Sequence, residues 1–262
     1  MKQLFTKINL EDFPSELHEY IRAADVYDSS SSPDARVYFF DTGAGLYLKT
    51  APRGALYTES KMAEYFHSLG CGVRVIRYMC EKDRDYLLTE GADGRDLTEK
   101  EYLAEPKRLA VTLGRILRVL HEKPYTGCPV PDRYATYLAC VEEGYRIGRF
   151  DPSYSLGYVE RTDADSAYNE IMAKRRLLVP DTLIHGDFCL PNVILRDWGA
   201  PTFIDLGAGG VGDRHIDLFW GIWTLQFNLG TNKYTDDFIS AYGADLVDGE
   251  RLRLVALCEC FG

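Results

Sequence analysis

The chain contains no run of eighteen apolar residues, which excludes a membrane-spanning helix. It is short of positive charge: 30 Lys and Arg stand against 40 Asp and Glu, a net charge of -10. That deficit speaks against nucleic acid as a partner, because such binding rests on basic contacts to phosphate. A disulfide framework is also missing. The seven cysteines are odd in number and irregularly spaced, and Cys258 and Cys260 stand too close for the usual metal pair. All seven are expected as thiols in a reducing, cytoplasmic setting. The five histidines show no metal spacing. The charged stretch 1–17 has no apolar signal-peptide core. No repeat, low-complexity tract or long linker interrupts the sequence. What remains is 262 residues, 46% apolar and 27% charged, enough for a sizeable core in one large domain or two lobes. The acidic balance serves solubility first, and it also suits a cationic ligand.

The first third reads as β-rich. Aromatic and apolar runs at 36–40 and 46–50 flank Asp41-Thr42-Gly43-Ala44-Gly45, which predicts a hairpin. A small polar loop, 29–34, precedes it. A helix is predicted over 56–69, with Leu56, Met62, Phe66 and Leu69 inward and Gly70 as its cap. Strands at 73–80 and 86–89 enclose the polar turn 82–85. The segment 90–96, with two glycines and four charged residues, then breaks the pattern. Beyond it the periodicity is helical over 105–121, 133–149, 166–178, 218–229, 234–242 and 248–261. The 218–229 helix is apolar almost all round and is expected to be buried. Segment 151–165 reads as irregular, with four acidic residues among aromatics, and 207–214 as a glycine-rich loop leading to Asp217. The plan is therefore a first lobe over 1–90, a crossover at 91–96 and a helical second lobe over 97–262.

The chemistry gathers in 183–206, where an apolar lead-in meets His185-Gly186-Asp187, then Asn192, then a second apolar run ending at Asp205. An Asp, an Asn five residues later and an Asp closing the next strand is the pattern of a kinase catalytic loop. Phosphoryl transfer asks a protein for positioning and charge neutralisation. Asp187 would accept the proton of the acceptor hydroxyl. Asn192 and Asp205 supply hard oxygen ligands of the kind magnesium takes. Lys49, late in the second hairpin strand, is placed to neutralise phosphate, with Glu59 as its helix partner and Glu64 as a rival that spacing does not separate. Glu90 and Ala92, in the crossover, are candidates to bind adenine through backbone groups. Singly, each polar residue of the stretch is at home as a turn or cap residue; the weight lies in the joint spacing. His185 and His121 read as structural, and Cys189 as a small filler with no base beside it.

The runs HGDFCLPNVIL and FIDLGAGGVGDRHIDL resemble the signature of the aminoglycoside phosphotransferase family, and within it most closely the 3'-phosphotransferase branch. The likeness extends to SSPDARVYFF, LYLKT, YLLTEGADG and LCECF, so it spans nearly the whole chain. It implies an α+β, two-lobed protein-kinase-like fold with a β-rich N-terminal lobe and a mainly helical C-terminal lobe, using ATP and Mg2+. By motif position it makes Asp187 the catalytic base, Asn192 and Asp205 the metal ligands, and Lys49 the phosphate lysine paired with Glu59. Tyr47 matches the aromatic that stacks on adenine, Ser32 a serine over the phosphates, and Glu90 and Ala92 the adenine crossover. For the cationic acceptor it implies Glu160 or Asp163, Glu259 and the terminal carboxylate after Phe261. Two departures bear on the acceptor alone: Ala208 stands where the 3' branch usually has arginine, and Cys258 where it commonly has aspartate, with Gly262 added. The leading expectation is a small-molecule kinase acting on an aminoglycoside hydroxyl. A metabolic kinase for a choline-like, amino-alcohol or sugar substrate is the alternative within the same chemistry. A non-catalytic pseudokinase is the alternative outside it, and the presence of Lys49, Asp187, Asn192 and Asp205 together speaks against that one.

Overall fold

The computed structural model describes residues 4–262 apart from 23, 31–34, 44 and 158–161. Two compact units are present, Met1–Asp96 with Ile194–Gly207, and Leu97–Val193 with Ala208–Gly262. In chain order the elements are β1 (Leu4–Thr6), α1 (His18–Ile21), β2 (Asp25–Asp28), β3 (Arg36–Asp41), β4 (Leu46–Pro52), α2 (Tyr57–Ser68), β5 (Val75–Glu81), β6 (Arg84–Glu90) and β7 (Arg95–Asp96). There follow α3 (Lys100–Leu103), α4 (Pro106–His121), α5 (Tyr134–Arg146), α6 (Ala164–Lys174), β8 (Thr182–Ile184), β9 (Val193–Leu195), β10 (Thr202–Phe203), β11 (Gly210–Gly212), α7 (Arg214–Leu229), α8 (Thr235–Tyr242) and α9 (Gly249–Glu259). The architecture is α+β and protein-kinase-like, as the resemblance implies.

The first unit is built on an antiparallel sheet of order β1-β2-β3-β4-β6-β5. Alternation along β4 decides what each face does, because successive side chains point to opposite sides. Leu46 and Leu48 face Phe13, Leu17 and Ile21 of the N-terminal segment, together with Phe40, Tyr86 and Leu88. Tyr47, Lys49 and Ala51 face the other way, where Ala51 packs with Leu56 and Leu87. The strands β1 and β2 were not legible in the sequence: the residues of β2, DVYD, are half acidic and carry no apolar alternation.

The second unit is helical. Pro106 opens α4 at its first turn, where a missing N–H costs nothing, and Leu109, Leu113 and Leu117 are fully buried. Each such leucine contributes about 1.5–3 kcal/mol. Helix α4 lies against α8, and Gly114 permits the approach, since a Cβ there would strike the Phe238 carbonyl. Two sequence expectations are corrected here. The stretch 207–214 is not all loop: 210–212 pairs with β8 as strand β11. Helix α7 starts at Arg214, not 218, because the Asp213 side chain accepts from the His215 N–H and caps it. All seven cysteines are free thiols. Among the described residues no helix is long and apolar enough to cross a membrane.

Candidate active site

In the first unit, Lys49 Nζ donates to Glu59 Oε1 and Oε2 at 3.0 and 2.9 Å and to Asp205 Oδ1 at 3.0 Å. Sheet alternation turns Lys49 off the apolar face of β4, and Glu59 lies in the first turn of α2 on its buried side. Glu64, the rival partner, is exposed and pairs with Lys61. Burial works against the Lys49 ammonium, but the charges of Asp205 and Glu59 outweigh it and hold its pKa up at about 12. The Glu59 carboxyl also sits above its usual range, because burial and the second carboxylate of Asp205 act against the pull of Lys49. Asp205 itself has a φ of +57°, a left-handed conformation that costs a non-glycine residue on the order of 1–3 kcal/mol. In that conformation its carboxylate accepts from Lys49 Nζ.

In the second unit, the loop after β8 is held from both ends. Asn192 Nδ2 donates to the Asp187 carbonyl at 3.0 Å and to Asp187 Oδ2 at 2.9 Å, which fixes the carboxylate and leaves the Asn192 side-chain oxygen as an acceptor. Asp217, fully buried, accepts from His185 N–H at 2.7 Å through Oδ2 and from Gly186 N–H at 2.7 Å through Oδ1. His121 Nε2–H donates to the same Oδ2 at 3.1 Å, since a carboxylate only accepts, so its Nδ1 accepts from the Tyr242 hydroxyl at 2.8 Å. Burial pushes the His121 pKa down, which keeps the ring neutral in this role. Gly186 has a φ of +83°, and a Cβ there would run into the Ala208 carbonyl. Leu190 N–H donates to Thr224 Oγ1 of α7 at 3.1 Å. Burial, then the Asp187 charge, pushes the Cys189 thiol far up, so it stays protonated. Asp217 and Thr224 had no role in the sequence reading. The available signal was an acid directly before the apolar run 218–229, a place where a carboxylate must find donors inside the protein.

Among the residues expected to face the acceptor, Glu259 receives a 2.7 Å hydrogen bond from the Tyr137 hydroxyl of α5. Asp163 caps α6, accepting from Ser166 N–H at 2.8 Å and Ser166 Oγ at 3.0 Å. The Phe261 ring is fully buried against Phe150, Tyr145 and Tyr168. Segment 151–157 is tied to the end of α9 by Asp151 N–H to the Cys260 carbonyl at 2.8 Å, and to α7 by Tyr154 lying parallel to Trp223. Among the residues expected at the nucleotide, the Tyr47 ring lies 5.0 Å from Phe39. The Glu90 carboxylate is taken by Arg74, and Ala92 is half-buried. Ser32 and Glu160 fall outside the described residues.

Burial pushes the Glu259 carboxyl up to about 7, with the Tyr137 hydroxyl opposing and the Asp187 charge adding. A raised carboxyl pKa means the fold binds the proton more tightly than the unfolded chain does. Its stabilisation is complete below the ordinary carboxyl range and is lost as pH rises through about 7. Between about pH 5 and 8.5 the wild type is expected to lose about 2 kcal/mol more than Glu259→Gln in urea unfolding. Parallel pH profiles for the two proteins would contradict this.

A lysine locked between two carboxylates, and a loop aspartate steered by an asparagine five residues on, define a phosphotransferase of the protein-kinase-like type. The profile of the phosphotransferase enzyme family matches residues 30–255, and the chain belongs to that family. It is 46% identical over 256 residues to a probable aminoglycoside 3'-phosphotransferase of Lactococcus lactis subsp. lactis, covering 98% of this chain and 97% of that one. An aminoglycoside 3'-phosphotransferase of Streptomyces fradiae is 29% identical over 235 residues, covering 82% and 85%. Among solved structures, an aminoglycoside-3'-phosphotransferase of type VIII superposes with a TM-score of 0.77 at 23% identity, over 97% of this chain and 99% of that one. An aminoglycoside phosphotransferase of Streptomyces rimosus in complex with ADP and streptomycin gives a TM-score of 0.76 at 21% identity, with the same coverage.

Proposed function

We propose that the protein transfers the γ-phosphate of ATP to a hydroxyl of an aminoglycoside, at the 3' position. The observation that carries this reading is Lys49 held between Glu59 and Asp205, supported by 46% identity to a probable aminoglycoside 3'-phosphotransferase. In this assignment residues 1–90 bind the nucleotide, with Tyr47 against adenine and Ser32 over the phosphates, and the backbone of Glu90 and of Ala92, where the chain enters the crossover 91–96, takes the adenine edge. Residues 97–262 carry the catalytic loop and the acceptor site. Asp187 accepts the hydroxyl proton, and Asn192 keeps that carboxylate aimed. Glu160 or Asp163, Glu259 and Phe261 are assigned to the cationic acceptor.

Mg2+ fits the donor set. It keeps several waters and takes only one or two protein oxygens beside the phosphates, so the Asn192 amide oxygen and the Asp205 carboxylate suffice. When bound, the ion neutralises charge on the transferring phosphate. Lys49 contributes the rest of the neutralisation from the protein side. The reaction draws on ATP and the chain holds seven free thiols, which suits a cytoplasmic setting.

Two measurements test the proposal. Magnesium-ATP should raise the melting temperature of the wild type, and Lys49→Ala should lose most of that rise, because its ammonium is the phosphate ligand. An undiminished shift in the variant removes Lys49 from the site. Turnover should appear in a coupled assay with aminoglycosides. Turnover only with choline or simple sugars would assign the protein to metabolic kinases, and nucleotide binding without turnover of any acceptor would make it a pseudokinase.

A further inference from the structure

The first unit's sheet has a second polar surface, on the face opposite Lys49. Period-two alternation turns Thr50 there, and the register sets Arg36 directly across from Thr50 on one side and Tyr86 on the other. Arg84 stands across from Pro52 in the next row of the same face. Elsewhere this face is apolar and closed by Phe13, Leu17 and Ile21 over Phe40, Leu46, Leu48 and Leu88. At the Thr50 end, a cavity of about 550 Å³ is bounded by the sheet and by residues of the segment 6–13.

The lining is unusual for this chain. Lys7, Arg36 and Arg84 converge on the cavity with a single acid, Asp12, in a protein of net charge -10. Arg84 Nε donates to the buried Thr50 Oγ1 at 3.1 Å, which orients the guanidinium and leaves its Nη groups for another acceptor. Arg36 Nη1 reaches the Tyr38 hydroxyl only at 3.5 Å. Two guanidiniums and an ammonium around one space are suited to a dianionic phosphate. Of the remaining walls, Thr6 and Asn9 are polar, whereas Ile8, Phe13, Tyr38 and Tyr86 are apolar or aromatic and suit the body of an organic molecule. The volume falls within the range of small-molecule sites, about 300–1,000 Å³.

We propose that this cavity binds a small soluble phosphate ester bearing a ring, at a site separate from the face that carries Lys49. The phosphate sits against Arg36, Arg84 and Lys7, and the ring lies against Phe13 and Tyr38. Phenyl phosphate is the probe, titrated calorimetrically into the full chain. Wild type and Lys49→Ala are expected to bind it equally, and the double variant Arg36→Gln, Arg84→Gln about tenfold or more weakly. Arg77→Gln, at an exposed position of β5 away from the cavity, should bind as the wild type does. Inorganic phosphate should bind more weakly than phenyl phosphate, because it leaves the apolar walls empty. Should the double variant not fold, Lys7→Gln at its exposed position is expected to weaken binding about threefold. The proposal is overturned by any of these results: no binding to wild type at about 10 mM, loss on Lys49→Ala, equal loss on Arg77→Gln, equal affinity for inorganic phosphate, or unchanged affinity in the cavity variants.

Discussion

Asp187→Asn is expected to lower kcat by about 100- to 10,000-fold, the usual span for a lost general base, with little change in nucleotide affinity. The side chain that would accept the proton becomes an amide of almost the same shape. Asn192, which donates to Asp187 Oδ2 at 2.9 Å, still has an oxygen to donate to, so the loop keeps its form. The fall should therefore appear in kcat, with KM for ATP nearly unchanged. Steady-state kinetics with an aminoglycoside acceptor, beside a magnesium-ATP thermal shift on the same variant, measures both halves. A variant within about threefold of wild type in kcat would remove Asp187 from proton transfer, since that is less than 1 kcal/mol in the barrier.

Asp217→Ala is expected to destabilise the fold by on the order of 3–5 kcal/mol. Its carboxylate answers three buried donors, His185 N–H, Gly186 N–H and His121 Nε2–H, and alanine answers none. Each unsatisfied buried donor costs about 1–3 kcal/mol, and water has little access to replace the carboxylate in a fully buried position. Against a total stability of about 5–15 kcal/mol this is a large fraction. Because two of the three donors are the backbone of the residues before Asp187, the folded variant should also lose kcat. Asp217→Asn keeps the volume and one oxygen, so it should recover part of the stability. Its NH2 then confronts one of the donors, and recovery stays incomplete. Urea unfolding of both variants, with kcat per folded molecule, tests this. A loss below about 1 kcal/mol in Asp217→Ala would mean that the loop amides are satisfied some other way.

The residues proposed to do the chemistry were legible because they are local. Asp187, Asn192 and Asp205 stand at short, set separations in one stretch flanked by apolar runs, and loop chemistry of this kind depends on chain spacing. The helices were legible for the same reason: α4 repeats its leucines at helical spacing, and Pro106 and Pro124 bracket it. Boundaries were read less well where a cap decides them. Asp213 starts α7 four residues before the apolar run does, through one side-chain bond to the backbone. The strands β1 and β2 escaped because their place in the sheet comes from pairing with β3, a tertiary condition, and not from any alternation of their own.

From its residues alone, then, the chain declared its reaction class, its family and the order of its longer helices. Folding decided which glutamate meets Lys49, a choice between Glu59 and Glu64 that spacing left open and that the buried side of α2 settles. It also gave Asp217 its three donors, which are His121 and the amides of His185 and Gly186, 96, 32 and 31 residues away in sequence. It buried Glu259 beside Tyr137, 122 residues away in sequence, and that burial, against the pull of the Tyr137 hydroxyl, moved a carboxyl into the neutral range. Spacing along a chain fixes partners only within a few residues. Partners farther apart are chosen by which faces the core buries, and burial raises the energy of a charge or an unmet hydrogen bond enough to make those choices specific.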